Sequence, residues 1–529
     1  MGCDSGVDHR SDARPDLDMG IAVDAAPPND AADMITADVG VDAMGGPRAR
    51  PNIATAATGW YRGDFHYHTT YSADAERQGG DDLETALAIA DAFRDPFFLS
   101  KNPHLAGNGL DFIAVTDHRT DAPLLDPVFR HDHLILIPGE EYGGNGHANV
   151  FGLQRHIPHD PVAGESVTQR HTDAIAEAHA QGAIFSPNHP ASDNPWVWNV
   201  EGYDSVEGWN GPWSAMSLGT TIEAVESRLG GAVENPYIRD AVEGLVGPGN
   251  DHSLRFWQNH LTAGVHVPLI GGGDRHMLLP AGMPTTYVRR PSSPEFAGLE
   301  GRELGYEGII QGIREGGTFV SRSTFGAQID LHAESTDGDR YPLGSALPHQ
   351  GPWTIHARVA RAGGGELRLV SGALKPIVDG RIASEPEVIH RVELPDDDTR
   401  VQFEWSPPEQ GGWLHAIVLE PLLVEPIPPH AAEALATLSM PAGDDSLAAT
   451  VRALMPFLDL GVAFDGYSCD PADWKPWRGQ CMPMDRQTWG TFYMPDPVDR
   501  LLNAWFEDGQ ITDYCLGGIT SAFMVRAAQ

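Results

Sequence analysis

Short apolar runs that end in acidic or histidine side chains constrain this sequence more than any other feature. Six of them follow one another along the chain: LDFIAVTDH (110–118), HLILIPGEEY (133–142), HANVFGL (147–153), AIFSPNHP (183–190), YDSVEGWNG (203–211) and HVPLIGGGDRH (266–276). The runs stop at Asp117-His118, Glu140-Glu141, His189 and Asp274-x-His276. Short, continuously apolar runs are typical of strands buried on both faces. Their polar ends are therefore expected to mark the carboxyl ends of strands.

Helices are predicted between several of these strands, because apolar residues recur there at helical spacing. The helical segments cover 81–94, 172–182, 254–264 and 306–317. Alternating helices and buried strands predict an α/β fold with a parallel sheet, either open or closed into a barrel. In a barrel of parallel strands, chemistry takes place at the carboxyl ends of the strands.

Beyond about Phe325 the pattern becomes that of an all-β region. Short alternating segments such as WTIHARVARA, GELRLVSG and RVQFEW are separated by Gly, Pro and Asp turns, as in a β-sandwich. We therefore expect an α/β domain over 59–325 and a small Ig-like β-sandwich over 326–425, completed by residues 512–529. Residues 426–511 interrupt the alternation.

Charge and hydropathy exclude two classes of partner. The chain has 35 basic and 74 acidic residues, a net charge of -39, which would repel the phosphate backbone of a nucleic acid. No apolar run approaches the roughly 20 residues that span a bilayer. We expect neither nucleic-acid binding nor a transmembrane segment.

The N-terminal region has the composition of a flexible tether. Residues 1–58 are rich in Asp and Ala and lack apolar periodicity, so we expect disorder. Cys3 resembles the cleavage point of a bacterial lipoprotein, which predicts a lipid anchor and a location in the cell envelope or secretion. A stray cysteine in a cytoplasmic protein is the alternative, and composition does not decide between them.

The remaining cysteines lie near the C-terminus. Cys469 and Cys481 flank a loop rich in Pro and Trp, and Cys515 follows. A disulfide closing the short loop would suit an oxidising compartment. Two reduced thiols are an equally good interpretation of the sequence.

Histidine pairs point to metal chemistry. His66 and His68 lie two apart in GDFHYHTTYSADA (63–75), as do Asp274 and His276 in GGGDRH. Side chains two apart on a strand point to the same face and can converge on one ion. One such pair would be weak evidence, but two pairs at strand ends are hard to explain as packing.

These motifs together resemble the PHP family (polymerase and histidinol phosphatase) over about residues 59–325. The resemblance is carried by His66, His68 and Asp74, by Thr116-Asp117-His118, by Gly139-Glu140-Glu141 with His147, by His189 before proline, and by Asp274 with His276. It implies a metallohydrolase domain folded as a distorted (β/α)7 barrel that holds two or three metal ions.

The resemblance also implies three sets of ligands. His66, His68, Glu141 and Asp274 would hold the first metal. Glu141 would bridge to a second metal completed by His147 and His189, with Glu140 as the alternative bridge. Asp74, His118 and His276 would hold the third. Asp117 is expected to orient a neighbouring histidine.

Flanking segments favour one branch of the family. GWYRGDFHYHTTYS, VEGWNG, GTFVS and the terminal ITSAFMV are similar to the CehA/McbA branch, named for hydrolysis of a carbamate insecticide. In that branch the last strand follows soon after one resembling GGWLHAIVLEP. Residues 426–511, which contain the Cys/Trp-rich loop, are therefore interpreted as an insertion in the last hairpin of the sandwich.

Mixed histidine and carboxylate ligands suit Zn, Mn or Fe better than Mg or Ca. Two cations about 3.5 to 4 Å apart can share a water molecule, lower its pKa and stabilise the charge that develops during hydrolysis. The expected function is thus metal-dependent hydrolysis of a small-molecule ester by a metal-bridging hydroxide, with Asp274, Glu141 and His189 as catalytic groups. A phosphoester is the first expectation, and a carbamate or carboxyl ester is the second.

Four further residues are candidates for substrate binding. Arg119 and Arg275 adjoin ligands and could grip an anionic group, although surface or ion-pair roles fit equally well. Trp209 and Asn210 could line the pocket, or Trp209 could pack at a strand end. The alternative function is a non-catalytic cell-envelope binding protein whose metal cluster is structural.

Overall fold

A computed structural model describes most of the chain. It covers residues 51–422 apart from gaps at 79, 95, 97–98, 100–105, 144–145, 161–162, 193, 213–221, 230, 243–248, 277–280, 349–350 and 383, and then 500, 503–507 and 510–526. Cys3, Cys469, Cys481, most of the expected tether and nearly all of the expected insertion lie outside the described residues.

The part of the chain up to Ser321 alternates strands with helices. Its strands are β1 (Trp60–Asp64), β2 (Phe112–Val115), β3 (Ile135–Gly143), β4 (His147–Phe151), β5 (Ile184–Pro187), β6 (Val206–Asn210), β7 (Leu269–Gly272), β8 (Thr285–Arg289) and β9 (Thr318–Ser321). Its helices are α1 (Ala73–Gln78), α2 (Leu83–Ala90), α3 (Ala122–Leu125), α4 (Val167–Ala180), α5 (Ile222–Leu229), α6 (Arg239–Val242), α7 (Gly249–Thr262) and α8 (Gly305–Arg314). Short 3-10 turns cover Ala56–Thr58, Ala92–Arg94, Pro294–Phe296 and Gly301–Leu304.

The described residues after Ser321 form strands. They are β10 (Gln328–Glu334), β11 (Arg340–Pro342), β12 (Ala346–Leu347), β13 (Trp353–Ala360), β14 (Gly365–Ala373), β15 (Glu387–Leu394), β16 (Asp398–Trp405), β17 (Gly411–Pro421), β18 (Ala504–Glu507), β19 (Gln510–Thr520) and β20 (Phe523–Arg526). Helices are found only before Ser321 among the described elements.

Local sequence explains where these elements begin. The residues of β2, Phe-Ile-Ala-Val, are all buried, as expected of a strand covered on both faces. Helix α4 begins five residues before the predicted start, because Ser166 accepts a hydrogen bond from the Gln169 amide and caps it. Its buried residues His171, Ala174, Ile175 and Ala178 form one face.

The fold is mixed α/β, with one large sheet and two smaller ones. Strands β1, β2 and β3 pair in parallel, whereas β4 and β5 continue the sheet antiparallel, as do β8 and β9 on the other side of β1. Strands β6 and β7 form a separate parallel pair, and β11-β10-β13-β16 form a four-stranded sheet. A barrel closed by hydrogen bonds is not found among the described strands.

The large sheet runs from the α/β part, which ends at Ser321, into the β-rich part, which begins at Gln328. Strand β19 pairs with β9 (Gly518 opposite Ser321) and with β17 (Ile417 opposite Ile519). Near this junction Glu420 is buried between Arg322 and Arg500, whose guanidinium nitrogens lie 3.0 and 2.8 Å from Glu420 Oε2. The C-terminal strands thus connect both parts.

In the described part of the chain, no helix has the length and apolar character needed to cross a membrane.

Two buried histidines make stability depend on pH. His260, on α7, donates from Nδ1 to the Phe256 carbonyl at 2.9 Å and accepts at Nε2 from the Tyr203 hydroxyl. Burial lowers the pKa of His260 to about 3 and that of His415 to about 3. Both side chains therefore stay neutral in the folded protein under mildly acidic conditions.

We expect acid to destabilise the protein through these groups. In the unfolded chain each histidine takes up a proton near about pH 6.5, whereas the folded state does so only near about pH 3, so stability falls between those values as pH falls. Replacing His260 or His415 by Gln should reduce the slope of unfolding free energy against pH by up to about 1.4 kcal/mol per pH unit. Urea unfolding between about pH 4 and 6 measures this, and unchanged slopes in both variants would contradict it.

Candidate metal centre

Eight of the nine predicted ligands come together at the carboxyl ends of β1, β2, β3, β5 and β7 and at the amino end of the antiparallel β4. His66 and His68 follow β1, His118 follows β2, Glu141 lies near the end of β3, His147 begins β4, His189 follows β5, Glu207 and Asn210 lie on β6, and Asp274 and His276 follow β7. Two backbone bridges extend the parallel pairing into this region, Tyr67 with Arg275 and His118 with Glu141. Residues more than 200 positions apart in sequence thus share one edge.

The side chains at this edge form one cluster, and those of His66, His68, Glu141 and Asp274 meet at its middle. Nε2 of His66 lies 3.1 Å from Nε2 of His68, and Asp274 Oδ1 lies 3.3 Å from each of these nitrogens. Glu141 Oε1 lies 3.5 Å from His66 Nε2, and its Oε2 lies 3.3 Å from His68 Nε2. Four donors about 2.0 to 2.2 Å from one ion in a tetrahedron lie about 3.3 to 3.6 Å apart. The spacing therefore fits a bound metal ion.

Hydrogen bonds fix the tautomers of both central histidines. His66 Nδ1 lies 2.9 Å from Glu207 Oε1, so Nδ1 carries the proton. Ser72 Oγ donates to Asp117 Oδ1 at 2.7 Å and lies 3.0 Å from His68 Nδ1, which must donate to it. Each Nε2 consequently points a lone pair into the cluster, as a metal ligand does.

Glu141 has the environment of a ligand. Its Oε2 is buried and receives no hydrogen bond of acceptable geometry, although His118 Nδ1 lies 2.8 Å away. Its Oε1 lies 3.0 Å from His147 Nδ1 and 3.6 Å from His189 Nε2. A buried ionised carboxylate needs compensation by positive charge, which a bound metal ion or the protonated ring of His118 supplies.

Asp74 joins the cluster from helix α1. Its Oδ2 lies 2.9 Å from His118 Nε2 and 3.4 Å from His276 Nε2. Three overlapping groups of donor atoms are close enough to hold ions: His66, His68 and Glu141; His118, Glu141 and His147; and His68, His118 and His276. All nine predicted ligands thus lie in or beside one cluster, with His118 between its two outer groups.

The choice between Glu140 and Glu141 follows from strand alternation. Glu141 faces the histidines, whereas Glu140 points to the opposite face of β3. There Glu140 accepts a hydrogen bond from the Ile157 amide at 2.8 Å and lies 2.6 Å from His156 Nδ1. Glu141, and not Glu140, is therefore the carboxylate that faces the histidines.

The four candidate substrate residues differ in their surroundings. Arg275 is fully buried, forms an ion pair with Asp81 and stacks over Tyr67, which is the ion-pair role left open by the sequence. Trp209 is buried in the core, and its Nε1 donates to Asn503 at 3.0 Å. Arg119 is exposed beside His118.

Asn210 supports the cluster. Its Nδ2 lies 3.1 Å from Asp274 Oδ2 and 3.1 Å from Glu207 Oε2. It connects a central carboxylate to the carboxylate that orients His66. Its contacts in the structure are those of a positioning residue.

The backbone is strained where the ligands are presented. His189 and Asp274 have φ values of 28° and 46°, and Arg119 has 53°, a region that residues other than glycine rarely adopt. Gly272 allows the close approach of β7 to β1, because a Cβ there would lie 2.4 Å from His66 Cβ. Strain of this kind clusters at functional sites.

Electrostatics keep the carboxylates ionised. Burial favours the neutral acid, but the imidazoles of His118, His147 and His66 hold the pKa of Glu141 well below its usual range. Burial likewise opposes the charged form of His118, but Glu141 and Asp74 outweigh it and raise its pKa to about 10. Ionised carboxylates are the form that binds metal.

The cluster opens to solvent on one side. His66, His68 and Glu141 are buried, whereas the side chains of His118, His147 and His276 are 22%, 24% and 19% exposed. The outer histidines therefore line the side of the cluster that solvent reaches.

Sequence reasoning missed several supporting residues. Glu207 orients His66, and its Oε2 accepts a hydrogen bond from the His189 amide at 2.9 Å. Asp64 accepts from the amides of His66, Gly273 and Gly282, and burial raises its pKa to about 6. The signal for Glu207 was an acidic residue inside the otherwise apolar segment YDSVEGWNG.

Comparison with known proteins adds no relative. No family model matches this chain, and no curated protein matches it.

We expect Glu207 to control metal affinity. Glu207→Gln removes a charge and places an amide group where carboxylate oxygens accept hydrogen bonds from His66, His189 and Asn210. Loss of such an orienting partner should weaken binding of Zn²⁺ or Mn²⁺ by about 10- to 100-fold, measured by calorimetric titration. Glu223→Gln, on an exposed position of α5, is the matched control. Equal affinities in the two variants would rule out this role.

Proposed function

We propose that this chain is a metal-dependent hydrolase of the PHP type that cleaves a small-molecule ester. Phosphoesters are the proposed substrates, with carbamates or carboxyl esters as the second class. One observation carries the proposal: lone pairs of His66 and His68 converge with oxygens of Glu141 and Asp274 at separations of 3.1–3.5 Å. These are donor atoms arranged for an ion, at the edge where chemistry takes place in folds of this kind.

The proposed ligand sets follow the distances within the cluster. His66, His68, Glu141 and Asp274 would hold the first ion, and Glu141 would bridge to a second with His147 and His189. Asp74, His118 and His276 would hold a third; the closeness of His118 to Glu141 also allows it to join the second. Zn, Mn or Fe suits this mixture of imidazole and carboxylate ligands.

Bound divalent ions would supply Lewis acidity and a water molecule of lowered pKa. The protein's own groups fix the geometry. Asp274 presents Oδ1 to the imidazoles while Asn210 donates to Oδ2 at 3.1 Å, so its carboxylate is held in the orientation that would bind the first ion. His189, with Nδ1 2.9 Å from Ser192 Oγ, is held so that Nε2 faces Glu141 Oε1, and in this proposal it acts by holding the second ion against the reacting group.

Charge supports a small anionic substrate. Arg119 follows His118 in the sequence, is exposed, and is proposed to bind the anionic group of a phosphoester. The strongly negative chain as a whole disfavours a long polyanion such as a nucleic acid.

The finer description of the fold belongs to the same proposal. We propose that the strands up to β7 form a distorted (β/α)7 barrel. Two backbone hydrogen bonds support closure beyond the paired strands. The His68 amide donates to the Arg275 carbonyl at 3.0 Å, which joins the β6-β7 pair to β1. The Asp204 amide, just before β6, donates to the Phe185 carbonyl at 2.9 Å, which joins the same pair to β5.

The division of the chain and its location also remain proposals. We propose a tether over 1–58, the hydrolase domain over 59–325, the sandwich over 326–425 with 512–529, and an insertion over 426–511. The described residues 51–58 at the end of the tether are ordered, because Ile53 and Ala54 are buried and their amides donate to Gln328. Composition of the tether and Cys3 support a place in the cell envelope.

Two ligand substitutions test the proposal. His68→Ala and Asp274→Ala each remove a central donor, so we expect metal affinity to fall by more than about 100-fold and hydrolysis to fall to the background rate. Metal analysis of the dialysed protein and initial-rate assays measure these effects. His131→Ala, on a loop away from the cluster, should change neither.

The substrate panel separates the proposed functions. Metal-loaded protein is assayed with p-nitrophenyl phosphate, bis(p-nitrophenyl) phosphate, p-nitrophenyl acetate and 1-naphthyl N-methylcarbamate. We expect turnover of a phosphoester that His68→Ala abolishes. Full activity in either ligand variant would show that the site is wrongly assigned. Bound metal without turnover of any compound would favour the non-catalytic binding protein.

A further inference from the structure

A second group of potential metal ligands lies on the four-stranded sheet, outside the centre described above. Strand β10 alternates: Ile329, Leu331 and Ala333 are buried in the core, whereas His332 and Glu334 point to the other face. Its neighbour β13 follows the same alternation and places His356 directly opposite His332. Three potential ligands therefore share one face of two paired strands.

The three side chains are close together. The rings of His332 and His356 stack with centroids 4.5 Å apart and an interplanar angle of 5°. Glu334 Oε2 lies 3.7 Å from His356 Nε2, and one donor atom from each residue lies within 4.8 Å of the other two. Rotation about the soft Cβ–Cγ bond of each histidine can aim both nitrogens at a common point.

The Nε2 atoms of the two histidines lack hydrogen-bond partners among the described residues. Nε2 of His332 and Nε2 of His356 are both buried, and neither has a hydrogen-bond partner among the described residues. A buried polar atom without a partner costs free energy unless something else satisfies it. An ion held between the two nitrogens and Glu334 would satisfy both.

From this arrangement we infer that His332, Glu334 and His356 form a separate binding site for a divalent transition-metal ion. Two imidazoles and one carboxylate suit Zn²⁺, Ni²⁺ or Cu²⁺ better than Mg²⁺ or Ca²⁺. Three protein ligands leave a coordination position for water. Because the site joins two strands, the ion ties β10 to β13. The inference does not depend on the proposed hydrolase function.

Neighbouring side chains can support this site. Gln402, on β16, lies 3.0 Å from His356 Nδ1. The atom at this distance is Nε2, and turning the amide by 180° brings Oε1 to the ring instead, where it accepts a hydrogen bond from Nδ1–H and leaves the Nε2 lone pair for the metal. Arg340 donates to Glu334 Oε2 at 2.8 Å, and a carboxylate has lone pairs enough for both arginine and an ion.

Another surface group serves as a control. Asp91, His131 and His133 also place three donor atoms close together. However, His131 Nδ1 accepts hydrogen bonds from the amides of His133 and Leu134, each at 3.2 Å. Its Nε2 must then carry the proton when the ring is neutral, so it offers no lone pair to a metal.

The test counts Zn²⁺ bound by the full-length chain. Equilibrium dialysis against Zn²⁺ compares the wild type, the double variant His332→Ala/His356→Ala and the control His131→Ala/His133→Ala. We expect the first double variant to bind one equivalent fewer than the wild type, and the control to bind as many. An unchanged count in the first variant overturns the inference.

A single substitution guards against misfolding of the double variant. Glu334→Gln keeps the size of the side chain, and we expect it to weaken one class of Zn²⁺ site by at least about tenfold. In the wild type, Zn²⁺ at saturation should raise the unfolding temperature of the β-rich part more than in Glu334→Gln. Equal affinity and equal shifts would overturn the inference. Ester hydrolysis is expected to be the same in the wild type and in Glu334→Gln, which separates this site from the proposed catalytic centre.

Discussion

The carboxylate of Glu141 lies buried at the end of β3 among imidazole rings. Nitrogens of His66, His68, His118, His147 and His189 lie 2.8–3.6 Å from its oxygens, and Asn188 Nδ2 donates to Oε1 at 3.1 Å. Burying an ionised carboxylate is costly unless cations or hydrogen bonds compensate it. Because the Glu141 carboxylate must be compensated, the strand ends that carry its partners must meet. This explains why residues from β1 to β5 converge on the two carboxylate oxygens of Glu141.

A second layer of buried acids holds the first in place. Asp64 accepts hydrogen bonds from the amides of His66 and Gly273, which joins the end of β1 to the loop after β7. Asp117 accepts hydrogen bonds from the hydroxyl groups of Thr69 and Ser72. Glu207 hydrogen-bonds both the His66 ring and the His189 amide. None of these carboxylates needs to bind a metal to be useful. Glu207 accepts a hydrogen bond from His66 Nδ1, and Asp117 accepts one from Ser72, the partner of His68 Nδ1, so the Nε2 lone pairs of both histidines are directed inward. The rigidity of the cluster therefore comes from acids outside it.

Sequence patterns predicted the members of the centre better than its surroundings. His118, Glu141, His189, Asp274 and His276 follow short apolar runs, whereas Asp74 and His147 were named only through the resemblance of the motifs to a known family. The structure, through alternation along β3, separates Glu141 from Glu140. The sequence predicted the direction of strand pairing less well. Strands β3, β4 and β5 pair antiparallel in a sheet that was expected to be parallel. Pairing between distant strands leaves no local periodicity. The ion pair of Arg275 with Asp81 and the contact of Glu207 with His66 are likewise long-range and invisible to spacing.

The most direct test of a metal centre built around Glu141 is a crystal structure of the metal-loaded protein with anomalous scattering measured at the absorption edge of the bound metal. Our account predicts an anomalous peak about 2.0 to 2.2 Å from Nε2 of His66 and His68 and from oxygens of Glu141 and Asp274. A protein saturated with metal that shows no peak at this cluster would contradict the account.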